Sequence, residues 1–166
     1  MKESRRWVVL GVFTLLVAAG CAVVMYAQTT GTGGHKGRSY LVTATDSSGE
    51  FQSREVITLH SDHTISEINS SQGGPSYYFT SELGTWKWVG KNKIVAEAID
   101  FDLPPNLRDL ARLDFTFTLS GDRSQLTGNG TVLYFPLETE NPFGSGGTVI
   151  GTSIMTGQRI PSSISQ

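Results

Sequence analysis

The chain has 166 residues, 38% of them hydrophobic and 17% charged, with 19 glycines and a formal net charge of −2. That length fits one domain, and so little charge excludes both a charge-rich disordered chain and a coiled coil. The slightly acidic balance argues against a nucleic-acid partner, and the single cysteine excludes an intramolecular disulfide and a cysteine-cluster zinc site.

Lys2, Arg5 and Arg6 precede Trp7–Ala27, a run of 21 residues without a charge. As a helix it would be about 31 Å long, roughly the apolar thickness of a bilayer. The basic flank places the N-terminus in the cytoplasm and everything after the run across the membrane. The expectation is an exported domain, with three fates open for residues 1–27. They are cleaved after Ala27 as a signal peptide, kept as a membrane anchor through residues 7–27, or lipidated at Cys21 within Ala18-Ala19-Gly20-Cys21. The predicted location is secreted or periplasmic, or anchored with the domain on the extracytoplasmic side. Beyond residue 27 the chain carries 10 basic and 14 acidic residues, which gives it no electrostatic pull toward nucleic acid or acidic lipid.

Gln28–Arg38 is rich in Gly and Thr, has no apolar period and is predicted to be a flexible linker. From residue 39 a regular rhythm of strands and turns begins. Tyr40–Thr45 is the first strand, closed by Asp46-Ser47-Ser48-Gly49. Glu55–His60 and Thr64–Ser70 form a hairpin around Ser61-Asp62-His63. After a loop holding Gly73-Gly74-Pro75, Tyr77–Thr80 pairs weakly, and Gly84–Val89 and Ile94–Phe101 are the next full strands. Pro104 and Pro105 interrupt the sheet, since proline cannot donate to a ladder. Leu113, Phe115, Phe117 and Leu119 then alternate with polar residues in the cleanest period-2 stretch of the chain. Gln125–Phe135 and Thr148–Met155 follow, separated by the Gly/Pro/Ser-rich 141–147. Leu107–Leu113 has room for one helical turn at most.

Strands at this spacing predict an all-β domain over residues 39–156, with 157–166 as a disordered tail. An up-and-down antiparallel barrel of about eight strands is favoured, because the connections are hairpins and closure removes exposed edges. A two-layer sandwich is the alternative. A barrel of that size is either filled by side chains or holds one small ligand.

The stretch Val56–Glu67, with Asp62-His63-Thr64 where a D-G-T turn is usual, resembles a hairpin of small exported bacterial proteins with a lipocalin-like (calycin) barrel. Gly84-Thr85-Trp86 is similar to their G-x-W strand start, and Thr127-Gly128-Asn129-Gly130-Thr131 to a later glycine-bearing strand. The resemblance spans about Tyr40 to Phe135 and implies the fold and an interior cavity, with no activity attached. His63 stands where that pattern has Gly, so a positive φ there would fall on histidine.

No G-x-S-x-G elbow is present, the cysteine lies in the leader, and Gly31–Gly34 precedes no helix, so neither a nucleophile nor a cofactor-binding loop is expected. His60, Asp62 and His63 straddle a turn and are read as a solvated polar hairpin rather than a metal site. Chemistry is more promising where carboxylates share a face with apolar residues. Glu67 alternates with Ile65 and Asn69, Glu97 with Val95 and Ile99, and Glu55 with Ile57 and Leu59. With those faces turned inward, Glu67, Glu97 and Glu55 look into the barrel. Trp86, Trp88, Phe115 and Phe117 are the predicted apolar walls. The function that follows is binding of a small, partly apolar ligand. The alternatives are a cyclase- or isomerase-type enzyme using a buried carboxylate and a structural module with a filled core.

Overall fold

The structure, a computed structural model, describes residues 37–72, 78–102 and 109–162. The apolar run Trp7–Ala27, Cys21 and most of the expected linker lie outside the described residues. Among those described, no helix is long and apolar enough to cross a membrane. The first four strands are β1 (Arg38–Thr45), β2 (Phe51–Leu59), β3 (Thr64–Asn69) and β4 (Glu82–Trp88). They continue as β5 (Lys93–Asp102), β6 (Asp109–Leu119), β7 (Gln125–Pro136) and β8 (Thr148–Arg159). Each strand pairs antiparallel with its neighbour in sequence, and β8 returns to β1, so the sheet closes into an eight-stranded up-and-down barrel.

Several strands run further than the sequence pattern indicates. β2 begins at Phe51 and β4 at Glu82, because hydrogen bonding continues past the apolar core of each strand. β6 begins at Asp109, so Leu110 and Ala111 are extended rather than helical, held by Phe101 and Asp100 on one side and by Phe135 and Tyr134 on the other. β8 reaches Arg159, and residues 157–159 belong to the sheet rather than to a tail, since Gly157 pairs with Val42 and Leu126.

Alternation fixes which side chains face inward. On β1 Tyr40, Val42 and Ala44 are buried, on β2 Ile57 and Leu59, and on β6 Leu113, Phe115, Phe117 and Leu119. The interior is made to fit by glycines opposite the rings. Gly128 pairs with Phe117, and a Cβ there would run into the Thr116 carbonyl and the Phe117 ring. Phe115 and Phe117 stack at 5.3 Å in the space this leaves.

The two ends of the barrel differ. One carries the tight hairpins β2–β3, β4–β5 and β6–β7. The N–H of His63 donates to the His60 carbonyl (3.2 Å) and that of Arg123 to the Ser120 carbonyl (2.8 Å). His63 (φ 69°) and Arg123 (φ 59°) both adopt the left-handed conformation. Asp62 and Asp122 brace these turns, accepting from the backbone and hydroxyl of Thr64 and of Ser124 respectively. The strained residues also plug the end. His63 stacks on Trp86 (4.7 Å), the Arg123 guanidinium lies 5.1 Å from the Trp88 ring, and the two indoles meet edge to face. Trp86 Nε1 donates to the His60 carbonyl and Tyr40 Oη to the Arg123 carbonyl, both at 3.1 Å. This end is closed.

At the other end β1 turns into β2, and the strand ends that lead from β3 to β4, from β5 to β6 and from β7 to β8 lie on the same side. The β7–β8 connection folds against the outer wall. Arg112, on the outward face of β6, donates to the carbonyls of Pro142 (2.6 Å) and Gly144 (2.9 Å) and pairs with Asp114 through two 3.0 Å contacts. Beside it Leu110, Leu133 and Phe135, with Ile99 packed against them, form a small apolar cluster outside the barrel.

Candidate functional site

At the open end the interior changes from apolar to acidic on one wall. Register places Glu55 opposite Asn69, Glu67 opposite both Ile57 and Glu82, and Leu83 opposite Ile99, which sets Glu82 beside Asp100. Four carboxyls therefore form a row across β2, β3, β4 and β5. All four are buried: Glu67 and Glu82 are 2% exposed, Glu55 4% and Asp100 5%. Burial of carboxylates this deep is costly unless they are hydrogen-bonded or protonated.

The row shows both remedies. Ser53 Oγ donates to Glu55 Oε1 at 2.6 Å, and Asn69 Nδ2 donates to the same oxygen at 3.2 Å. Glu67 is hydrogen-bonded to Glu55 and Glu82, a bond that two carboxyls can form only when one carries a proton. Burial, followed by the charges of Glu82 and Glu55, holds the Glu67 carboxyl well above the usual range. Burial and then the charge of Asp100 push Glu82 up to about 8, although the hydrogen bond from Glu67 opposes this. Glu55 is also raised, by burial, against the pull of Ser53 and Glu67. The Oε2 atoms of Glu55, Glu67 and Glu82 receive no hydrogen bond from any N–H or hydroxyl.

A partly open cavity of about 330 Å³ lies against this row. Glu55, Glu67 and Asn69 line one side, and Leu113, Phe115 and Met155 line the other. A second space of about 140 Å³ faces Glu82 and Asp100 and shares Asn69, Leu113 and Val132 with the first. A larger hollow of about 450 Å³ crosses the outer surface at Leu41, Thr43, Arg54, Thr156 and Gln158. It offers no buried anchor, since Arg54 is exposed and already bonded to Thr43 (2.6 Å). The interior spaces combine burial, an apolar wall and buried carboxyls, which is what a small-molecule site needs.

The predicted site residues divide into three groups. Glu67 and Phe115 line the cavity, and Glu55 joins them. Trp86, Trp88 and Phe117 are interior but belong to the packed, closed end; Trp86 and Phe117 are core and Trp88 packs against it. Glu97 is a correction. It is exposed on the outside of β5, because Ile94, Ala96, Ala98 and Asp100 form the inward face. Sequence reasoning missed Glu82 and Asp100. Extending the alternation of Trp88, Trp86 and Gly84 back by two residues reaches Glu82, and extending that of Ile94, Ala96 and Ala98 forward reaches Asp100.

The histidine hairpin does not converge on a point. His60 Nε2 lies 2.9 Å from Ser66 Oγ, His63 covers Trp86, and Asp62 is turned to Thr64. Among the described residues no group of three His, Cys, Asp or Glu side chains is arranged to hold a metal ion. Comparison with known proteins gave no match to a family model, a curated protein or a solved structure.

Proposed function

We propose that this chain is an exported, lipocalin-like binding protein that holds one small, partly apolar molecule inside the open end of its barrel. The observation that carries the reading is the 330 Å³ cavity between the acidic row and the wall of Leu113, Phe115 and Met155. Its volume lies at the small end of the range for ligand pockets, about 300–1,000 Å³. Glu67 anchors the polar part of the ligand, and Phe115 packs on its apolar part. Export is supported by Lys2, Arg5 and Arg6 ahead of the uncharged run Trp7–Ala27. The membrane enters only through residues 7–27, where they are retained.

A second reading is acid–base catalysis. It is favoured by one observation, the Glu67–Glu82 pair, whose second member titrates near 8, close to where a general acid or base works best.

Native mass spectrometry of the protein purified from its own cells tests the lead reading. The expected result is a small mass that travels with the barrel, is lost on denaturation and is depleted in Glu67→Gln. No bound mass, together with no change in melting temperature across a library of small apolar compounds, would overturn it. The same intact-mass measurement reports whether residues 1–27 are present and whether Cys21 carries lipid.

A further inference from the structure

We propose that the closed end of the barrel carries a second site, which takes a phosphate monoester between the guanidiniums of Arg38, Arg123 and Arg159. The site lies at the opposite end from the cavity, so the inference goes beyond the reading above and does not depend on it.

Placement is the first argument. Three arginines from three separate elements meet around one side chain, Tyr40. Arg159 is the cross-strand partner of Tyr40, and Arg38 stands two residues before it on the same inward-facing row of β1. Arg123, in the β6–β7 turn, accepts the Tyr40 hydroxyl on its carbonyl at 3.1 Å. Its left-handed backbone and its position 5.1 Å from the Trp88 ring hold the guanidinium in place. All three side chains are partly buried, and all three charges act on Tyr40. The backbone around them is tied as well. The N–H of Arg159 donates to the Ser124 carbonyl and that of Ile160 to the Ser39 carbonyl, both at 2.8 Å.

Charge is the second. Acidic residues outnumber basic ones after residue 27, 14 against 10, yet folding gathers cations here. The turns and strand ends at this end carry Arg38, Lys91, Lys93, Arg123 and Arg159 against Asp62 and Asp122. Both aspartates are taken up by their own turns, Asp62 by Thr64 and Asp122 by Ser120 and Ser124. Among the described residues the ion pair present is that of Arg112 with Asp114, and none of the three arginines joins one. The adjoining stretches 28–36 and 163–166 contain no Asp or Glu, so their side chains bring no counter-charge. Arg38 shows the cost of this crowding. Its Nε is buried without a hydrogen-bond partner, and partial burial, then the charges of Arg123 and Arg159, hold it below the usual arginine value.

Ligand chemistry is the third. A guanidinium is a planar fork of donors with no acceptor, which matches the edge of an oxyanion. A carboxylate brings two oxygens and one charge, too little for three arginines. A phosphate monoester brings three strong acceptor oxygens and a charge of about −1.5 to −2 at neutral pH. The group can sit on a small soluble molecule or on a lipid headgroup. Val89 and Ile160, which follow Trp88 and Arg159 in the chain, are exposed and would meet the acyl chains of a lipid. Binding makes and breaks no covalent bond.

Isothermal titration calorimetry of the full chain at neutral pH tests this with four probes: glycerol 3-phosphate, neutral glycerol, acetate, and dihexanoyl phosphatidic acid below its micelle concentration. Glycerol 3-phosphate is expected to bind at least about tenfold more tightly than acetate, with no binding of glycerol. Raising sodium chloride from about 0.05 to about 0.5 M should weaken it severalfold. Arg38→Gln and, separately, Arg159→Gln should each weaken it about tenfold. Arg54→Gln, which removes the same charge from the outer wall, should change it less than about twofold. The comparison of probes on the parent chain needs no variant to fold. Phosphatidic acid binding at least about tenfold more tightly than glycerol 3-phosphate assigns the group to a lipid, and equal affinity assigns it to a soluble ester. Acetate binding as tightly as both phosphates would overturn the phosphate class. No binding of either phosphate, or equal binding by the parent, Arg38→Gln and Arg159→Gln, would overturn the site.

Discussion

Glu82 ties the stability of the barrel to the protonation of its interior. An unfolded glutamate titrates near 4.5, and in the barrel Glu82 is held at about 8, chiefly by burial and then by Asp100. Between those values the folded protein keeps a proton that the unfolded chain has already lost. Stability from this source is complete below about pH 4.5 and is lost as the pH rises through about 8. Glu67 and Glu55 are shifted the same way and add to the slope. The turn aspartates act in the opposite sense at the acid end. Asp122 is lowered to about 2 by its hydrogen bonds with Ser120 and Ser124, and Asp46 and Asp62 are lowered by Ser48 and Thr64. Their contribution is present above about pH 4 and fades as the pH falls further. The melting temperature is therefore expected to peak near pH 4.5–5 and to drop by about 5–10 °C by pH 9. Glu82→Gln should flatten the alkaline limb and melt higher than the parent at pH 9. A parent protein that gains stability from pH 5 to pH 9, followed by circular dichroism, would show that the row is not buried as described.

At the scale of elements, alternation carried most of what was legible in the sequence. The strand cores, the order of hairpins and the closed antiparallel barrel all follow from period-2 apolar patterns and turn residues, and so does the inward face of β6. β5 was the exception, for a physical reason. Its outer face is also apolar, because Ile99 packs against Leu110, Leu133 and Phe135 outside the barrel, and two apolar faces leave no parity signal. That ambiguity turned Glu97 inward and hid Asp100. The residue that organises the outer cluster, Arg112, also gave no signal, since its partners are main-chain carbonyls 30 and 32 positions away. Arg112 straps the β7–β8 connection to the wall, and its guanidinium lies 5.4 Å from the Phe135 ring. Arg112→Met keeps the apolar stem and removes the donors. It is expected to lower stability by about 1–3 kcal/mol and to speed proteolytic cutting within residues 137–147 by tenfold or more. Arg112→Lys should rescue little, because one ammonium cannot span two carbonyls and a carboxylate in the geometry of a planar fork. Cutting at the same rate in both variants and in the parent would mean that the connection is held by something other than Arg112.

Over the whole molecule the interior is divided into a solid half and a hollow half, and the division explains why the fold tolerates an acidic wall. The closed end supplies the packed core: Tyr40, Leu59, Trp86, Ile94, Phe117 and Leu126 fill it, leaving the open end free to keep space and charge that weaken it. Ala44 stands at the boundary. It is buried, pairs with Met155 and Ser53, and lines the 330 Å³ cavity, so its small side chain helps to leave the hollow empty. Ala44→Leu sends three more carbons into that space. Each buried methylene contributes about 0.8 kcal/mol where there is room for it, so a gain of about 1–2 kcal/mol and a rise of a few degrees in melting temperature are expected. The same carbons occupy the volume assigned to the apolar part of the ligand, and the small mass that travels with the barrel should be depleted in the native mass spectrum of the variant. Stability and binding would then move in opposite directions, as they do when a protein keeps a cavity for use rather than by default. A variant that is less stable and binds as before would mean that Ala44 is tightly packed and that the ligand space lies elsewhere in the barrel.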